Sequence, residues 1–336
     1  MQRSQAITPR ITLERHEALV PCAYAEGHGD RWSGRIQSCG AMVPHMPRHL
    51  CPNCGQRLVA AHAPAPGPNS RIITGSTMIM DAETGEVAAI HLVCASDLAT
   101  RLAASLKDVY WDQQVHSKAT TTARLNGMAV THRTFGYAPP QPMRRRYACS
   151  RSQFNSKYPE AMENLAAFCQ LSEGVFRINA PEAHDATATK VGEVISPAWR
   201  IAGTPWTSGI INKTAAMPYH NDKDNIAKSW SSMIVARRNV EGGLLHLADY
   251  DAYLAVPHGS ITIFDGQSVV HGVTPLRSTG PNSFRYSAVV YAKHLMKKCC
   301  PDPKGEPARA KAAATLAEDE RAARVGGVVR RPRRYA

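Results

Sequence analysis

The sequence contains no apolar run long enough to cross a membrane, since no stretch approaches eighteen consecutive apolar residues. Its first twenty residues also lack the apolar core of a secretory signal, because Arg3, Arg10 and Arg15 interrupt them. These absences argue against a helical membrane protein and an exported one, and we expect the chain in the cytoplasm. In that reducing compartment, the nine cysteines are expected to be thiols or metal ligands rather than disulfides.

Acidic residues are also scarce. The chain has 27 Asp and Glu against 40 Lys and Arg, which gives a formal net charge of +13 at pH 7. A surface of this sign attracts polyanions such as nucleic acid. Part of the excess is local, in Arg144 to Arg146, Lys297 to Lys298 and the C-terminal arginines. Because charge runs are often solvated faces, charge alone leaves nucleic-acid binding open.

Composition divides the 336 residues into four parts. Residues 1–62 are rich in Cys, His and Gly without a sustained helical or strand period, which suits a small metal-stabilised unit. The Pro-rich residues 63–69 are predicted to be a linker. Residues 70–297 are predicted to be the main domain, and residues 298–336 a basic, largely disordered tail that includes one polar helix.

The main domain is predicted to be α+β. Two β-branched runs around residues 81–85 predict a hairpin, and apolar spacing predicts helices over 97–110 and 159–170. Short strands follow after residue 210, over 232–236, 244–246, 260–264, 268–271 and 286–292. Many short strands after a helical segment favour a sandwich or jelly roll with helices packed on one face, and we place its core at about 195–297.

The N-terminal part carries a candidate zinc site. Cys51-Pro52-Asn53-Cys54-Gly55 is typical of a zinc knuckle, in which two thiolates converge and the glycine permits the bend. Cys22 and Cys39 are the favoured partners, and His45 or His49 could substitute for one of them. We predict a structural zinc here. The Cys299-Cys300 pair is interpreted as incidental.

A His-x-Asp motif, His220 and Asp222, is the candidate metal site, with His271 as the third ligand. On a strand, residues two apart point to the same face, so both side chains can reach one ion. Two His and one carboxylate leave open positions for a bidentate co-substrate and dioxygen, the ligand set of non-haem iron oxygenases. About one His-x-Asp is expected by chance at average composition. His28-Gly29-Asp30 is another, and its Gly-rich loop indicates a surface or zinc-related position.

The order of residues after His220 supports this interpretation. A turn at Gly242-Gly243 precedes His271, and Arg285 follows fourteen residues after it, with Ser287 on the same strand face. An Arg fork and a hydroxyl on one face can bind the distal carboxylate of 2-oxoglutarate. Taken singly, each residue has an ordinary alternative, such as a loop cap, a core histidine or a surface ion pair. The ordered set favours an Fe(II) and 2-oxoglutarate site.

These motifs resemble the 2-oxoglutarate oxygenases of the TET and J-binding-protein (JBP) class, including their phage-encoded relatives. The likeness covers roughly residues 133–293 and is strongest over 219–225, 242–243, 257–272 and 285–291. The resemblance implies a double-stranded β-helix (jelly roll) with flanking helices. It implies that His220, Asp222 and His271 hold iron, that Arg285 and Ser287 hold 2-oxoglutarate, and that the substrate is a 5-methylpyrimidine flipped out of DNA.

The same resemblance assigns residues to the base. Asn225 matches an Asn that hydrogen-bonds the flipped cytosine, and Tyr291 matches an aromatic that stacks on it. Where the TET enzymes have a His just after that Tyr, this chain has Lys293, with His294 one residue later. Base recognition can therefore differ here, and a turn-stabilising Asn225 or a core Tyr291 stays an alternative.

The expected partner is DNA, with Arg144, Arg145 and Arg146 as candidate phosphate contacts. We favour 5-methylcytosine as the substrate because of Asn225. Thymine, a substrate other than DNA, and a non-enzymatic zinc-knuckle protein that binds nucleic acid stay open. If the chain is phage-encoded, the expected location is the cytoplasm of the bacterial host.

Overall fold

The computed structural model describes residues 9–25, 36–46, 49–113 and 131–325. His28-Gly29-Asp30 and the C-terminal arginines therefore lie outside the described residues. The first half holds β1 (Arg10–Leu13), β2 (Leu19–Pro21), β3 (Tyr24–Ala25), β4 (Ile36–Gln37), β5 (Met42–Pro44), β6 (Arg71–Ile73), β7 (Thr77–Asp81), β8 (Val87–Val93), α1 (Ser96–Ser105), β9 (Asp112–Gln113), β10 (Thr131–Ala138), β11 (Ser150–Arg151), α2 (Gln153–Lys157) and α3 (Pro159–Asn179). The second half holds α4 (Pro181–Val194), β12 (Ser208–Lys213), β13 (Ser231–Arg238), β14 (Val240–Gly242), β15 (Leu245–Leu247), β16 (Ala252–Leu254), β17 (Ser260–Phe264), β18 (His271–Val273), β19 (Leu276–Ser278), β20 (Phe284–Tyr291) and α5 (Glu306–Val325).

A ten-stranded sheet runs in the order β1-β7-β8-β17-β13-β20-β12-β10-β11, with β9 paired to β10. Its central strands are apolar and β-branched, and every residue of β17 is buried, as expected of a strand covered on both faces. A smaller sheet in the order β18-β15-β16-β6 lies against it, and β14 pairs with β19. The fold is therefore mixed α+β with a large sheet at its centre.

Two apolar cores flank the large sheet. One lies between the two sheets and includes Ile79, Val235, Leu247 and Leu254. The other lies under α1 and α3, where Leu102, Leu165 and Phe168 pack against the opposite sheet face. Helices on one side and a second sheet on the other match the layered arrangement that the sequence predicts. In the described ranges, no helix combines the length and apolarity needed to span a membrane.

Several predicted elements differ in extent from the observed ones. The predicted hairpin around residues 81–85 is confirmed as β7 and β8. Helix α1 ends at Ser105 instead of residue 110, although Leu106 and Val109 beyond it stay buried. The predicted helix over 159–170 extends to Asn179, and α4 was missed. Pro181 begins α4 at a position where a helix tolerates proline.

The N-terminal part packs directly on the segments of the fold that carry the candidate metal residues. Strand β1 joins the large sheet, parallel to β7. The Tyr219 amide donates to the Ala61 carbonyl at 2.8 Å, and Ala61 and Ala63 are buried. The linker predicted over 63–69 thus begins with a buried residue. Its boundaries stay a prediction.

One cysteine expectation is wrong. Cys149 and Cys299 form a disulfide across 150 residues of sequence, so Cys299 is not incidental and not every cysteine is a thiol or metal ligand. The bond joins the segment before β11 to the segment after β20. No local spacing announces such a pair, because only the folded chain brings the two residues together.

Candidate active site

The three predicted metal ligands lie together at the edge of the smaller sheet. The sequence predicts His220 on a regular strand. In the structure it lies instead in an extended segment that forms an isolated bridge with His271, the first residue of β18. The Asp222 Oδ1 lies 3.7 Å from the Nε2 of His220 and 4.0 Å from the Nε2 of His271. One atom from each residue could therefore bind the same metal ion.

Hydrogen bonds fix both imidazoles in the orientation that a metal requires. The Nδ1 of His220 lies 2.8 Å from the Pro218 carbonyl, and the Nδ1 of His271 lies 2.9 Å from the Val269 carbonyl. A carbonyl only accepts, so each Nδ1 carries the proton and each Nε2 keeps its lone pair. Burial, with the neighbouring His220, lowers the pKa of His271 to about 4, which keeps that ring neutral at physiological pH.

Arg285 on β20 is a fully buried cation for which the described residues provide no anion. Its side chain is 0% exposed, its Nη1 is 3.4 Å from the Ser287 hydroxyl, and its Nε and Nη2 have no partner. Burial and the neighbouring Arg237 lower the pKa of Arg285. Unpaired buried donors are costly, so this arrangement fits a pocket completed by a carboxylate. Gly243 at φ +67° makes room, since a Cβ there would lie 3.1 Å from the Arg285 Nε.

A buried amide beside Ser287 was missed by sequence reasoning. Asn212 on β12 pairs with Ser287 in the strand register, so the two side chains share a face. It is 6% exposed, and its Oδ1 has no hydrogen-bond partner. Asn212 could therefore line the pocket in front of Arg285. A lone Asn in an apolar strand carries no spacing signal, and only the register places it there.

The predicted base-contacting residues lie close to Asp222. Asn225 is 5% exposed and forms an isolated bridge with Lys293, whose amide also donates to the Thr207 hydroxyl. Tyr291 ends β20 and is half-buried. Burial, with the charges of Asp222 and Asp224, raises the pKa of Tyr291. The ring is therefore near the metal site, and its phenol stays protonated.

The three predicted phosphate contacts lie on one exposed turn, formed by Pro142–Arg144 and the left-handed Arg145. Gln141 and Arg146 close the turn by exchanging backbone hydrogen bonds of 2.6 and 3.2 Å. All three arginines are exposed. Strands β10 and β20 both pair with β12 at Ser208 and end on the same side of the sheet. The turn thus leaves the sheet at the end where Tyr291 lies.

The cysteines form a second candidate metal centre. The Sγ atoms of Cys22 and Cys54 are 3.9 Å apart, as are those of Cys39 and Cys51, and all four lie within 4.8 Å of one another. Thiolates at about 2.3 Å around a tetrahedral zinc would be about 3.8 Å apart. The four cysteines thus suffice as a ligand set. Of the alternatives, His45 instead packs edge-on against Tyr219, with ring centroids 6.4 Å apart.

Comparison with known families identifies the domain that holds the candidate active site. Residues 136–294 match the Tet/JBP family model, which describes the oxygenase domain of the 2OGFeDO superfamily. This chain contains a Tet/JBP oxygenase domain. The Tet/JBP domain is a 2-oxoglutarate-dependent dioxygenase and uses Fe(II) and 2-oxoglutarate. Its boundaries enclose all three candidate iron ligands and both candidate 2-oxoglutarate residues.

Three solved structures are similar to the chain that carries this Tet/JBP domain. NgTET1 in complex with 5mC DNA is 15% identical with a TM-score of 0.47, and the match covers 68% of this chain and 84% of that one. An oxidoreductase of the 2OG-Fe(II) oxygenase family from Burkholderia pseudomallei is 13% identical with a TM-score of 0.37, covering 62% and 85%. The α-ketoglutarate-dependent carbocyclase SnoK is 10% identical with a TM-score of 0.35, covering 61% and 79%. No curated protein matches the chain.

Proposed function

We propose that this dioxygenase hydroxylates the 5-methyl group of 5-methylcytosine in DNA, on a double-stranded β-helix formed by the two sheets. The convergence of His220, Asp222 and His271, together with the buried Arg285 whose Nε and Nη2 have no partner among the described residues, carries the proposal. Fe(II) with 2-oxoglutarate supplies the oxidation: dioxygen and 2-oxoglutarate are consumed, a C–H bond becomes C–OH, and succinate and CO2 are released.

The residues of the chain have separable tasks in this reaction. The two imidazoles and the Asp222 carboxylate would hold Fe(II) on one face, which leaves the other positions for 2-oxoglutarate and dioxygen. Arg285 would pair with the distal carboxylate of 2-oxoglutarate, with Ser287 beside it. The apolar core between the sheets would help to exclude water from 2-oxoglutarate bound there.

DNA as the substrate is supported by charge and placement. The net charge of +13 and the exposed turn with Arg144, Arg145 and Arg146 suit a polyanion. The turn lies at the end of the sheet where Tyr291 borders the metal site. A buried iron cannot reach a methyl group inside a stacked duplex, so the base would have to flip out and stack on an aromatic ring such as Tyr291.

The proposal is tested by mass spectrometry of nucleosides after incubation of the protein with Fe(II), 2-oxoglutarate and duplex DNA that carries both thymine and 5-methylcytosine. We expect 5-hydroxymethylcytosine. Appearance of 5-hydroxymethyluracil instead would assign the enzyme to thymine. Conversion of 2-oxoglutarate to succinate without either product would leave the oxygenase intact and refute DNA as its substrate.

Removal of one iron ligand tests the assignment of the metal site. His220→Ala and Asp222→Ala should abolish product formation while DNA binding and the circular dichroism spectrum stay close to those of the parent chain, because neither side chain belongs to the apolar cores. His16→Ala, at an exposed histidine, should have no effect. Equal loss of activity and DNA binding would contradict the assignment of His220 and Asp222 to the metal.

A further inference from the structure

The two carboxylate oxygens of Asp222 have different surroundings. Oδ1 faces the imidazoles of His220 and His271, at 3.7 and 4.0 Å from their Nε2 atoms. Oδ2 accepts a hydrogen bond from the Ser231 hydroxyl at 3.1 Å and a longer one from the Asn225 amide at 3.5 Å. One oxygen is thus directed to the metal position and the other to the protein.

Ser231 and Asn225 are themselves fixed. The Asn225 amide also donates to the Ser231 hydroxyl at 3.0 Å, so the two side chains and Oδ2 form a closed triangle. Ser231 is 2% exposed and begins β13, paired with Phe264. The backbone carbonyl of Asn225 accepts a hydrogen bond from the Gln267 side chain at 2.7 Å. Neither group can leave the carboxylate without breaking buried hydrogen bonds.

Gly266 closes the remaining side of Oδ2. The Asp222 amide donates to the Gly266 carbonyl at 2.8 Å, and a Cβ on this glycine would lie 2.4 Å from Oδ2. The backbone therefore lies directly against the carboxylate. Rotation of Asp222 about its side chain is opposed by two hydrogen-bond donors on one side and by close backbone on the other.

From this enclosure we propose that Ser231 and Asn225 are positioning residues that hold Asp222 as a one-oxygen iron ligand. A carboxylate free to turn could chelate with both oxygens and occupy a position that 2-oxoglutarate or dioxygen requires. Hydrogen bonds to the oxygen that does not bind the metal prevent this rotation. The triangle therefore preserves the open positions on which the reaction depends.

This assignment changes the role expected of Asn225. The resemblance to TET and JBP enzymes assigns its amide to the flipped base, but both contacts of its Nδ2 point to Ser231 and Asp222. We therefore expect Asn225 to act mainly on metal affinity, through Asp222. This effect does not depend on DNA. The proposal concerns the iron site alone and stands whether or not 5-methylcytosine is the substrate.

Mn(II) titration of the metal-free protein without DNA tests the proposal, since Mn(II) accepts the same imidazole and carboxylate ligands. Ser231→Ala and Asn225→Ala should each weaken Mn(II) binding about 10- to 100-fold, as is usual for residues that orient a metal ligand. The Mn(II)-saturated variants should also bind 2-oxoglutarate more weakly, because a two-oxygen Asp222 competes for its position. Isothermal titration calorimetry measures both affinities.

Ser232→Ala is the matched control. Ser232 is 1% exposed on the same strand, but its hydroxyl donates to Ser172 on the opposite face at 3.0 Å. This variant should keep the Mn(II) and 2-oxoglutarate affinities of the parent chain. Parental affinities in both Ser231→Ala and Asn225→Ala would overturn the proposal. So would equal losses in Ser231→Ala and Ser232→Ala, which would indicate general damage to β13.

Asn225→Ala also separates the two roles of this residue. If Asn225 only reads the base, the variant keeps its Mn(II) affinity and shows a raised KM for DNA, which contradicts the proposal. If it positions Asp222, metal binding weakens before any DNA is added. Circular dichroism confirms that each variant is folded, and failure of one variant to fold leaves the other to decide.

Discussion

Arg285 is the residue whose surroundings most strongly indicate an anionic ligand. A guanidinium at 0% exposure with two unpartnered nitrogens destabilises the ligand-free protein and prepares it for an anion. The same side chain thus opposes folding before 2-oxoglutarate binds and favours binding afterwards. Its effects on stability and on affinity should therefore have opposite signs.

Arg285→Met tests this statement. We expect 2-oxoglutarate affinity to fall at least ~30-fold, since a buried charged partner contributes about 2 kcal/mol or more. The ligand-free melting temperature should stay the same or rise, because an uncompensated buried charge is removed. Thermal denaturation with and without 2-oxoglutarate measures both effects, since a bound ligand stabilises the folded state.

Arg277→Met is the control for Arg285→Met. Its side chain is 74% exposed and pairs with Glu241 at the surface, where an ion pair contributes little. Stabilisation by 2-oxoglutarate should persist in this variant. An Arg285→Met protein that 2-oxoglutarate still stabilises as strongly as the parent would remove Arg285 from the co-substrate site.

The sequence predicts the residues with distinctive chemistry and misses those with ordinary chemistry. His220, Asp222, His271 and Arg285 follow one another at spacings that few chains would show by chance, and the structure brings the first three to one candidate metal site and buries Arg285 completely. Ser231 has no such signal. A serine that begins a strand is common, and its contact with Asp222 depends on how β13 lies beside the 220–225 segment.

At the scale of elements, the N-terminal unit, residues 1–62, packs against the segments that carry two of the candidate iron ligands. Ala18, Val20 and Ala61 form one apolar cluster with Tyr219 and Val270. The last two residues each precede a candidate iron ligand by one position. A zinc ion at the four cysteines would hold the N-terminal unit together, so zinc binding and iron binding should be coupled through this cluster.

Cys22→Ser tests the coupling. The parent chain should contain about one tightly bound zinc, and the variant should lose it, melt at a lower temperature and bind Mn(II) more weakly at the iron site. Elemental analysis, thermal denaturation and calorimetry measure the three effects. Cys94→Ser, at an exposed thiol, should change none of them. Loss of zinc with parental Mn(II) affinity would separate the two sites.

Element boundaries were less predictable than element types. Strand β17 was predicted over the observed residues because its apolar run ends at clear breakers. Helix α4 was missed because its sequence is polar and rich in Ala and Thr, with only His184, Thr187 and Val191 buried. Tertiary contacts with α3 stabilise it, and no periodic stripe indicates it in advance.

At the scale of the whole molecule, the contribution of the positive charge to DNA binding can be measured from the salt dependence of the DNA affinity. The logarithm of the DNA affinity falls with the logarithm of the salt concentration, with a slope of about 0.9 per phosphate contact. Replacement of Arg144, Arg145 and Arg146 by Gln should therefore reduce the magnitude of that slope by about 2.7 if all three bind phosphates. Fluorescence anisotropy at several salt concentrations measures it.

A second triple variant controls for total charge. Arg101 and Lys107 are exposed on or just after α1, and the exposed Arg238 ends β13 opposite Phe284, at the other end of the sheet from Tyr291. Their replacement by Gln removes the same charge from another surface and should change the slope far less. Equal changes in both triple variants would mean that net charge, not the turn, governs association with DNA.

The position of β1 has a consequence for the large sheet. Its four residues pair with the backbone of β7. Without them, β7 would be an unpaired edge strand that carries Met78, Ile79 and Met80. An uncovered margin offers free amides and carbonyls to any other extended chain. A shortened protein that begins at residue 63 would lose this cover, and its molecules would tend to associate margin to margin and aggregate. Strand β1, whose Arg10 and Thr12 are exposed, therefore forms the end of the sheet in place of the more apolar β7.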